Sequence, residues 1–170
     1  MPRRLRLPLI LLCAWLCISL ACCAPSTCAT PAELLAAMCE VERPLPAGRV
    51  YVRSAPQDSD SHPCDEMLTV TFGNGHFPPE MDQVADVAVY LSFTHPCELA
   101  VFRCKTADGT DAVAAMCLRR LDFLRNHRTD QGSEADAYLE SACVTVWGRW
   151  VIFTVSSDPD AALRAARRAL

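Results

Sequence analysis

The sequence lacks the short motifs that identify a reaction. It contains no HExxH pair for a catalytic zinc, no P-loop for a nucleotide phosphate and no GxGxxG turn for a dinucleotide. No serine, histidine and aspartate form a recognisable triad pattern. The four histidines, His62, His76, His95 and His127, lie mostly in predicted loops. These absences predict a protein that is not an enzyme and that needs no cofactor.

Basic charge is also scarce. The chain has 16 lysine and arginine residues against 20 aspartate and glutamate residues, which gives a net charge of −4. Arg3, Arg4 and Arg6 belong to an N-terminal leader, and without these three the net charge falls to −7. An acidic body repels phosphate backbones, so we expect no nucleic-acid partner. The length of 170 residues and the hydrophobic fraction of 51% predict one globular domain.

The longest apolar run lies at the N-terminus and has the anatomy of a secretory signal. Met1–Arg6 is a positively charged segment, and Leu7–Leu20 is an apolar segment that only Pro8 and Ser19 interrupt. This run is shorter than the roughly 20 apolar residues that a membrane-spanning helix needs. A cleaved signal is therefore predicted, and an uncleaved N-terminal anchor is the less favoured alternative.

The end of the leader resembles a lipobox. In "LACC", residues 20–23, an apolar residue and two small ones precede a cysteine that would carry a diacylglyceryl thioether. Cys23 is the predicted lipidated residue. The position before this cysteine holds Cys22 where glycine, alanine or serine is usual, which is a departure from the pattern. Cys22 is the fallback, and cleavage before it would leave Ser19-Leu20-Ala21, a poorer fit to the lipobox. Two or three acyl chains anchor a protein stably, since each buried CH₂ contributes about 0.8 kcal/mol.

These features predict the organisation and the location of the chain. Residues 1–22 are a lipoprotein signal peptide, residues 23–29 are a short tether, and residues 30–170 are a single domain. The domain is expected outside the cytoplasm, held by lipid on the outer face of the bacterial cell membrane. Its expected partners are the membrane, through the anchor, and a protein or cell-wall component.

Hydrophobic periodicity predicts an α+β domain. The second half repeats the order strand, strand, helix, with strands at Val87–Phe93, Glu98–Cys104 and both arms of "ACVTVWGRWVIFTV" (142–155). This ββα-ββα order predicts a two-layer sandwich, a four-stranded, largely antiparallel sheet with helices on one face. "RVYVR" (49–53) is a further short candidate strand, and "DEMLTVTFGNG" (65–75) is ambiguous between helix and strand.

The chain resembles a bacterial lipoprotein family catalogued as domain of unknown function 4358, which is common in Gram-positive gut bacteria. The resemblance runs from about residue 30 to the end and is carried by the lipobox, "PPEMDQVADVAVYLSF", "ELAVFRC" and the 142–155 hairpin. It implies a surface lipoprotein without an established reaction or catalytic residues. The chain departs from the family in its many cysteines, its prolines between residues 44 and 79, and its extended loop at Gln57–Cys64.

Two "HPC" segments suggest an alternative function. His62 and Cys64 belong to one segment, and His95 and Cys97 belong to the other. Two imidazoles and two thiolates can hold zinc tetrahedrally, which would make the domain an extracytoplasmic metal-binding or thiol-redox-responsive module. However, the spacing is not that of a zinc finger, and both segments lie in predicted turns. The metal site is therefore the less favoured hypothesis.

The remaining cysteines favour a structural role. Seven cysteines lie beyond Cys23. Because this number is odd, disulfide pairing within the chain would leave one thiol free or joined to another chain. Several of them fall on apolar stripes, which is typical of small buried hydrophobic residues. One candidate disulfide joins Cys104, at the end of a strand, to Cys117 on the following helix.

Two tryptophans suggest a binding surface. Gly148-Arg149 is typical of a two-residue type II′ turn, which would place Trp147 opposite Trp150. Alternation along the two strands predicts both rings on the open face of the sheet, where they would bind a partner. The alternative is that the pair only stabilises the hairpin, a contribution of about 0.2–1 kcal/mol.

Overall fold

The computed structural model describes residues 28–61, 64–127 and 133–170. In chain order the elements are α1 (Pro31–Val41), β1 (Gly48–Val52), α2 (Cys64–Thr71), a 3₁₀ helix (Pro79–Gln83), β2 (Val84–Ser92), β3 (Glu98–Cys104), α3 (Thr110–Asn126), α4 (Ser133–Ser141), β4 (Cys143–Trp147), β5 (Trp150–Val155) and α5 (Pro159–Ala169). Within the described ranges, no helix is both long enough and apolar enough to cross a membrane.

The first helix begins with a capping box. Thr30 Oγ1 accepts a hydrogen bond from the Glu33 backbone N–H at 3.3 Å, and Glu33 Oε2 accepts one from the Thr30 backbone N–H at 2.8 Å. Pro31 follows at the first helical position, where its missing N–H costs nothing. These local signals were readable in the sequence, and the helix buries its apolar side against the sheet.

The strands form one antiparallel sheet of five strands in the order β1-β2-β3-β5-β4. The α+β class and the antiparallel pairing are therefore confirmed. The sheet has five strands rather than four because the candidate strand at 49–53 pairs with β2, where Val50 lies opposite Tyr90. The ambiguous segment 65–75 contributes helix α2 and not a strand.

The β4–β5 hairpin has the predicted register. Trp147 lies opposite Trp150, and the two-residue turn between them is Gly148-Arg149. Gly148 has a φ of +58°, the left-handed value that the first central residue of a type II′ turn requires. A glycine at this position makes the tight connection possible without backbone strain.

Helices cover both faces of the sheet, so the prediction of a two-layer sandwich with helices on one face is wrong. We call the face that carries Glu98 and Phe102 the first face, and the face that carries Leu99 and Val101 the second face. Arg120 of α3 binds Glu98 on the first face. Helix α5 covers part of the second face, where Arg167 approaches Trp147, and α1 packs beside α5.

The burial of the central strands explains this difference. Every residue of β5 is buried, and in β3 every residue except Arg103 is buried. The sequence of a strand that is covered on both faces is a nearly continuous apolar run, such as "WVIFTV". It does not alternate between apolar and polar residues. The ββα-ββα order by itself predicts helices on one face and does not reveal the second helix layer.

An aromatic cluster fills the core under the first face. Phe72, which follows α2, packs edge-on against Phe102 and Phe153, with ring centroids 5.6 and 6.0 Å apart. Phe102 and Phe153 belong to the neighbouring strands β3 and β5, and both are fully buried. The cluster therefore joins the end of α2 to the middle of the sheet.

Candidate functional site

A groove of about 480 Å³ lies between α2, the loop that follows it, and α3. Its apolar wall is formed by Val70, Phe72, Phe77, Pro78 and Phe123. Its polar wall is formed by Glu80, Arg119 and Arg120. We call it the α2–α3 groove. A cavity of this size, with apolar walls and a few polar groups, is typical of a binding site.

Three large apolar side chains of the groove remain accessible to solvent. Val70 is 76% exposed, Phe77 is 41% exposed and Phe123 is 45% exposed. A single exposed apolar residue is ordinary on a protein surface, whereas several around one concave feature mark an interaction site. The groove therefore offers apolar area that a partner could bury.

The turn after α2 shapes one wall of the groove. The His76 backbone N–H donates to the Gly73 carbonyl at 3.0 Å, and the Gly75 N–H donates to the Thr69 carbonyl at 3.2 Å. A Cβ atom at Gly73 would lie 1.6 Å from the His76 carbonyl oxygen, so no larger residue fits there without movement of the backbone. The wall is consequently built on a tight and specific turn.

The two arginines of the groove differ in their surroundings. Arg119 pairs with Glu80, and the Arg119 side chain is 58% exposed. Arg120 holds Glu98 in a two-pronged contact and also lies 5.4 Å from the centre of the Phe123 ring. Arg120 thus has a structural role, whereas the guanidinium of Arg119 keeps donors on its solvent side, because it carries five N–H groups.

One carboxylate oxygen in the groove is unusual. Among the described residues, Oε2 of Glu80 is buried and makes no hydrogen bond. Buried polar atoms are normally satisfied, so this oxygen is an exception within the polar wall. The polar groups that the wall presents to solvent are therefore the donors of Arg119, which is 58% exposed.

The predicted lipidation site lies outside the described residues. Neither Cys23 nor its fallback Cys22 belongs to the described ranges. The lipid anchor consequently stays a prediction from the sequence.

The predicted metal site is not assembled by the described residues. Cys64 opens α2 and lies near Asp86 at the start of β2, whereas Cys97 directly precedes Glu98, which pairs with Leu91 at the end of β2. Five residues of a strand span about 16 Å, and zinc binds its ligands at roughly 2.0–2.3 Å. One ion therefore cannot contact both thiols.

The two histidines of this hypothesis do not restore the site. His62 lies outside the described residues, and His95 is exposed in the turn between β2 and β3. Across residues 28–61, 64–127 and 133–170, no group of three or more histidine, cysteine, aspartate or glutamate side chains could hold a metal ion.

The tryptophan pair does not lie on an open face, and this prediction is wrong. The Arg167 guanidinium of α5 lies 5.2 Å from the centre of the Trp147 ring. Trp150 is only 9% exposed, and Trp147 is half-buried. The pair sits on the second face, which the helix layer of α1 and α5 covers. Its geometry therefore matches the alternative, a cross-strand pair that stabilises the hairpin.

The cysteines occupy two kinds of environment. Cys64, Cys97, Cys104 and Cys117 are buried, Cys39 and Cys143 are half-buried, and Cys28 is exposed. Burial raises the pKa of Cys64 and of Cys97 to about 12. It also raises the pKa of Cys117, to which the neighbouring Cys104 contributes. The structure thus places the two residues of the candidate disulfide close together, with both thiols unbridged.

These environments predict selective thiol chemistry. The thiolate is the reactive form, so the four buried thiols should resist iodoacetamide at pH 8 in the folded protein. Cys28 should be alkylated fastest, and the buried thiols should react only after unfolding in urea. Mass spectrometry of the alkylated peptides, before and after unfolding, measures this difference. Rapid labelling of Cys117 in the folded protein would contradict the burial described here.

The α2–α3 groove could not be predicted from the sequence. Its residues come from α2, the 3₁₀ helix and α3, and the segment that forms α2 was ambiguous between helix and strand. The sequence contains one signal of the groove, which is Phe77 followed by two prolines. A phenylalanine in a proline-rich loop does not belong to a strand or helix that could bury its ring. The contact of this loop with α3 is long-range and carries no local signature.

Comparison with known proteins gave no match. No family model matches the chain, and no curated protein or solved structure is significantly similar to it. The resemblance to a bacterial lipoprotein family therefore stays a prediction, and the function is argued from the geometry of the chain itself.

Proposed function

We propose that the chain is a lipid-anchored extracytoplasmic protein of the bacterial envelope that binds a protein partner through the α2–α3 groove and catalyses no reaction. The observation that carries this proposal is the concentration of exposed Val70, Phe77 and Phe123 around one groove. Burial of apolar area is the main driving force of protein association. The lipobox at residues 20–23 supports the location.

The chemistry of the groove specifies the partner. The apolar wall suits one or more apolar side chains, which would insert against Phe77 and Phe123. The exposed Arg119 suits a carboxylate, because guanidinium groups bind carboxylates through paired hydrogen bonds. The partner is therefore a protein segment that presents apolar side chains next to an acidic one.

The predicted anchor would limit where this partner is found. A tether of residues 23–29 reaches at most about 25 Å when fully extended, at roughly 3.3–3.6 Å per residue. The domain would thus stay close to the outer surface of the bilayer. The partner is expected to be a membrane protein or another protein of that surface.

Capture experiments test the groove. We expect a Phe77→Ser, Phe123→Ser double variant of the full chain to capture at least tenfold less partner than the unmodified chain does. The reason is that apolar anchors contribute most of the free energy of such interfaces. The partner is captured from detergent-solubilised envelopes and quantified by mass spectrometry, and thermal melts confirm folding.

A matched control uses exposed apolar residues outside the groove. Leu118 is on α3 and Val146 is on β4, and both are exposed. The Leu118→Ser, Val146→Ser double variant should capture the same partner in the same amount. Equal losses in both double variants would overturn the assignment of the groove.

A further inference from the structure

The two edge strands of the sheet differ in how they are protected. β1 forms one edge and β4 forms the other. At the β1 edge, the Val52 backbone N–H donates to the Ser61 carbonyl at 3.3 Å, so a loop covers part of this edge, and Arg49 adds a charge. β4 has the sequence "CVTVW", with no charged residue and no proline, and its pairing with β5 contains no bulge. Native proteins normally protect an edge strand with one of these features.

The hydrogen bonds of the sheet show which backbone groups of β4 point outward. The tryptophan pair closes the two-residue turn, so it is hydrogen-bonded, and such pairs alternate along an antiparallel ladder. The Cys104 N–H donates to the Arg149 carbonyl at 2.7 Å, so the backbone groups of odd-numbered β5 residues face β3 and those of even-numbered residues face β4. The N–H and C=O groups of Val144 and Val146 therefore point away from β5.

This edge is accessible from solvent. Among the described strands, β4 pairs only with β5. Val146 is 43% exposed and the other residues of β4 are half-buried, whereas every residue of β5 is buried. No residue of β4 lines the α2–α3 groove. Outward N–H and C=O groups of an edge strand are best satisfied by a further strand.

The outward groups of β4 are complementary to those of a second copy of β4. In an antiparallel pairing with Thr145 of each copy at a two-fold axis, Val144 of one copy lies opposite Val146 of the other. Each outward N–H of these two valines then donates to an outward C=O of the other copy. The valines also pack against each other on one face, and the two Thr145 hydroxyls meet on the other face, which are favourable cross-strand pairs. This register uses both outward residues of the strand.

The charges beside β4 favour the same arrangement. Arg167 of α5 lies 5.2 Å from the centre of the Trp147 ring, at the end of β4. Asp160 lies near the start of β4, because burial raises the pKa of the Cys143 thiol and the Asp160 carboxylate raises it further. The charged residues of α5 and its N-cap are, in chain order, Asp158, Asp160, Arg164, Arg167 and Arg168. A two-fold axis at Thr145 brings the acidic start of one α5 towards the basic second half of the other.

We propose that two copies of the chain associate through β4, in an antiparallel pairing centred on Thr145, to form one continuous sheet. The partner is a second copy because the backbone groups, the side chains and the charges along this edge are all self-complementary about one axis. This inference goes beyond the proposed function, because it concerns a different surface and does not depend on the groove or on the lipid anchor.

Disulfide trapping of the full chain in its native membrane tests the register. Thr145→Cys is introduced in a Cys28→Ser, Cys143→Ser background, with oxidised glutathione as the oxidant. Directly opposite residues of a non-hydrogen-bonded pair have Cα atoms about 4.5 Å apart, a distance that a disulfide can bridge. We expect a covalent dimer on a non-reducing gel, well above the amount that the background chain gives.

Val146→Cys in the same background is the matched control. Val146 is more exposed than Thr145, but in this register it lies diagonally from its own counterpart, at roughly 7–8 Å, where a disulfide does not form readily. It should give little covalent dimer. No covalent dimer from Thr145→Cys, or equal amounts from both variants, would overturn the proposal. A covalent adduct of Thr145→Cys with a different protein would also overturn it, because the edge would then pair with another chain.

Sedimentation velocity of the detergent-extracted full chain tests the hydrogen bonds. We expect the unmodified chain to be a dimer that dissociates on dilution from about 100 to about 1 µM. Val144→Pro removes an outward N–H that β5 does not use, so the fold should persist while the dissociation constant of the dimer rises at least tenfold. Val146→Thr keeps every backbone donor and should dimerise as the unmodified chain does. A monomeric unmodified chain at every concentration, or unchanged dimerisation of a folded Val144→Pro protein, would overturn the proposal.

Discussion

Replacing Arg120 by alanine is expected to lower the free energy of unfolding by about 3 kcal/mol, the low end of the roughly 3–5 kcal/mol range for breaking a buried ion pair. The side chains of Arg120 and Glu98 are only 16% and 10% exposed, and the guanidinium binds both carboxylate oxygens. Removal of Arg120 leaves Glu98 buried without its cation. Urea denaturation of the full chain measures the effect.

The adjacent arginine provides the control. Arg119 pairs with Glu80, but its side chain is 58% exposed, so Arg119→Ala should cost less than about 1 kcal/mol. The double variant Arg120→Met, Glu98→Leu should recover most of the loss, because an apolar pair of similar size needs no partner charge. Equal costs for Arg119→Ala and Arg120→Ala would show that the Arg120–Glu98 pair is not buried in solution.

Replacing Phe102 by alanine is expected to cost about 4 kcal/mol, within the roughly 3–5 kcal/mol typical of a buried phenylalanine. Phe102 is fully buried at the centre of the sheet and packs edge-on against Phe72. The substitution removes apolar contacts and leaves a cavity beneath the end of α2. Phe72 also lines the α2–α3 groove. In this variant the groove should therefore unfold at lower denaturant concentrations than the second face of the sheet does.

An exposed phenylalanine provides the comparison for this substitution. Phe93 follows β2 and is largely exposed, so Phe93→Ala should change the free energy of unfolding by no more than about 0.5 kcal/mol. Phe102→Leu should fall between the two variants. A cost below about 1 kcal/mol for Phe102→Ala would contradict the position of this ring in the core.

The parts of the fold that could be predicted from the sequence depend on local interactions. The capping box of Thr30 and Glu33 involves residues three positions apart, and the Gly148-Arg149 turn sets the register of its own hairpin. The bounds of β3 were predicted at Glu98–Cys104 because a short apolar run between turn residues has few alternatives. In each of these cases the signal and the structure occupy the same few residues.

The parts that could not be predicted depend on contacts between distant segments. Whether a second helix layer covers the sheet is decided by how α1 and α5 pack together, and this packing leaves no periodic signature in the strands. For the same reason, alternation along the hairpin wrongly predicts an open face for the tryptophan pair. The α2–α3 groove also combines two stretches, 70–80 and 119–123, that are far apart in the sequence.

The two "HPC" segments show the limit of motif repetition. Identical letters suggest that Cys64 and Cys97 share a site, but Cys64 is the first residue of α2 and Cys97 lies near Cys39 of α1. Conversely, nothing in the sequence marks Glu42 as buried, because a glutamate after a helix is ordinarily solvated. The burial of Glu42 results from its contacts with Tyr138 and Ser157. These residues are about 100 positions away in the sequence, so the contacts leave no local signal.

The proposed location of the domain is tested most directly by the intact mass of the protein extracted with detergent from its native membrane. We expect a chain that begins at Cys23 and carries a diacylglyceryl group, which would hold the groove at the outer surface of the bilayer. The location of the protein determines which partners the groove can meet. An unlipidated chain that retains Met1 would contradict a lipid-anchored envelope protein.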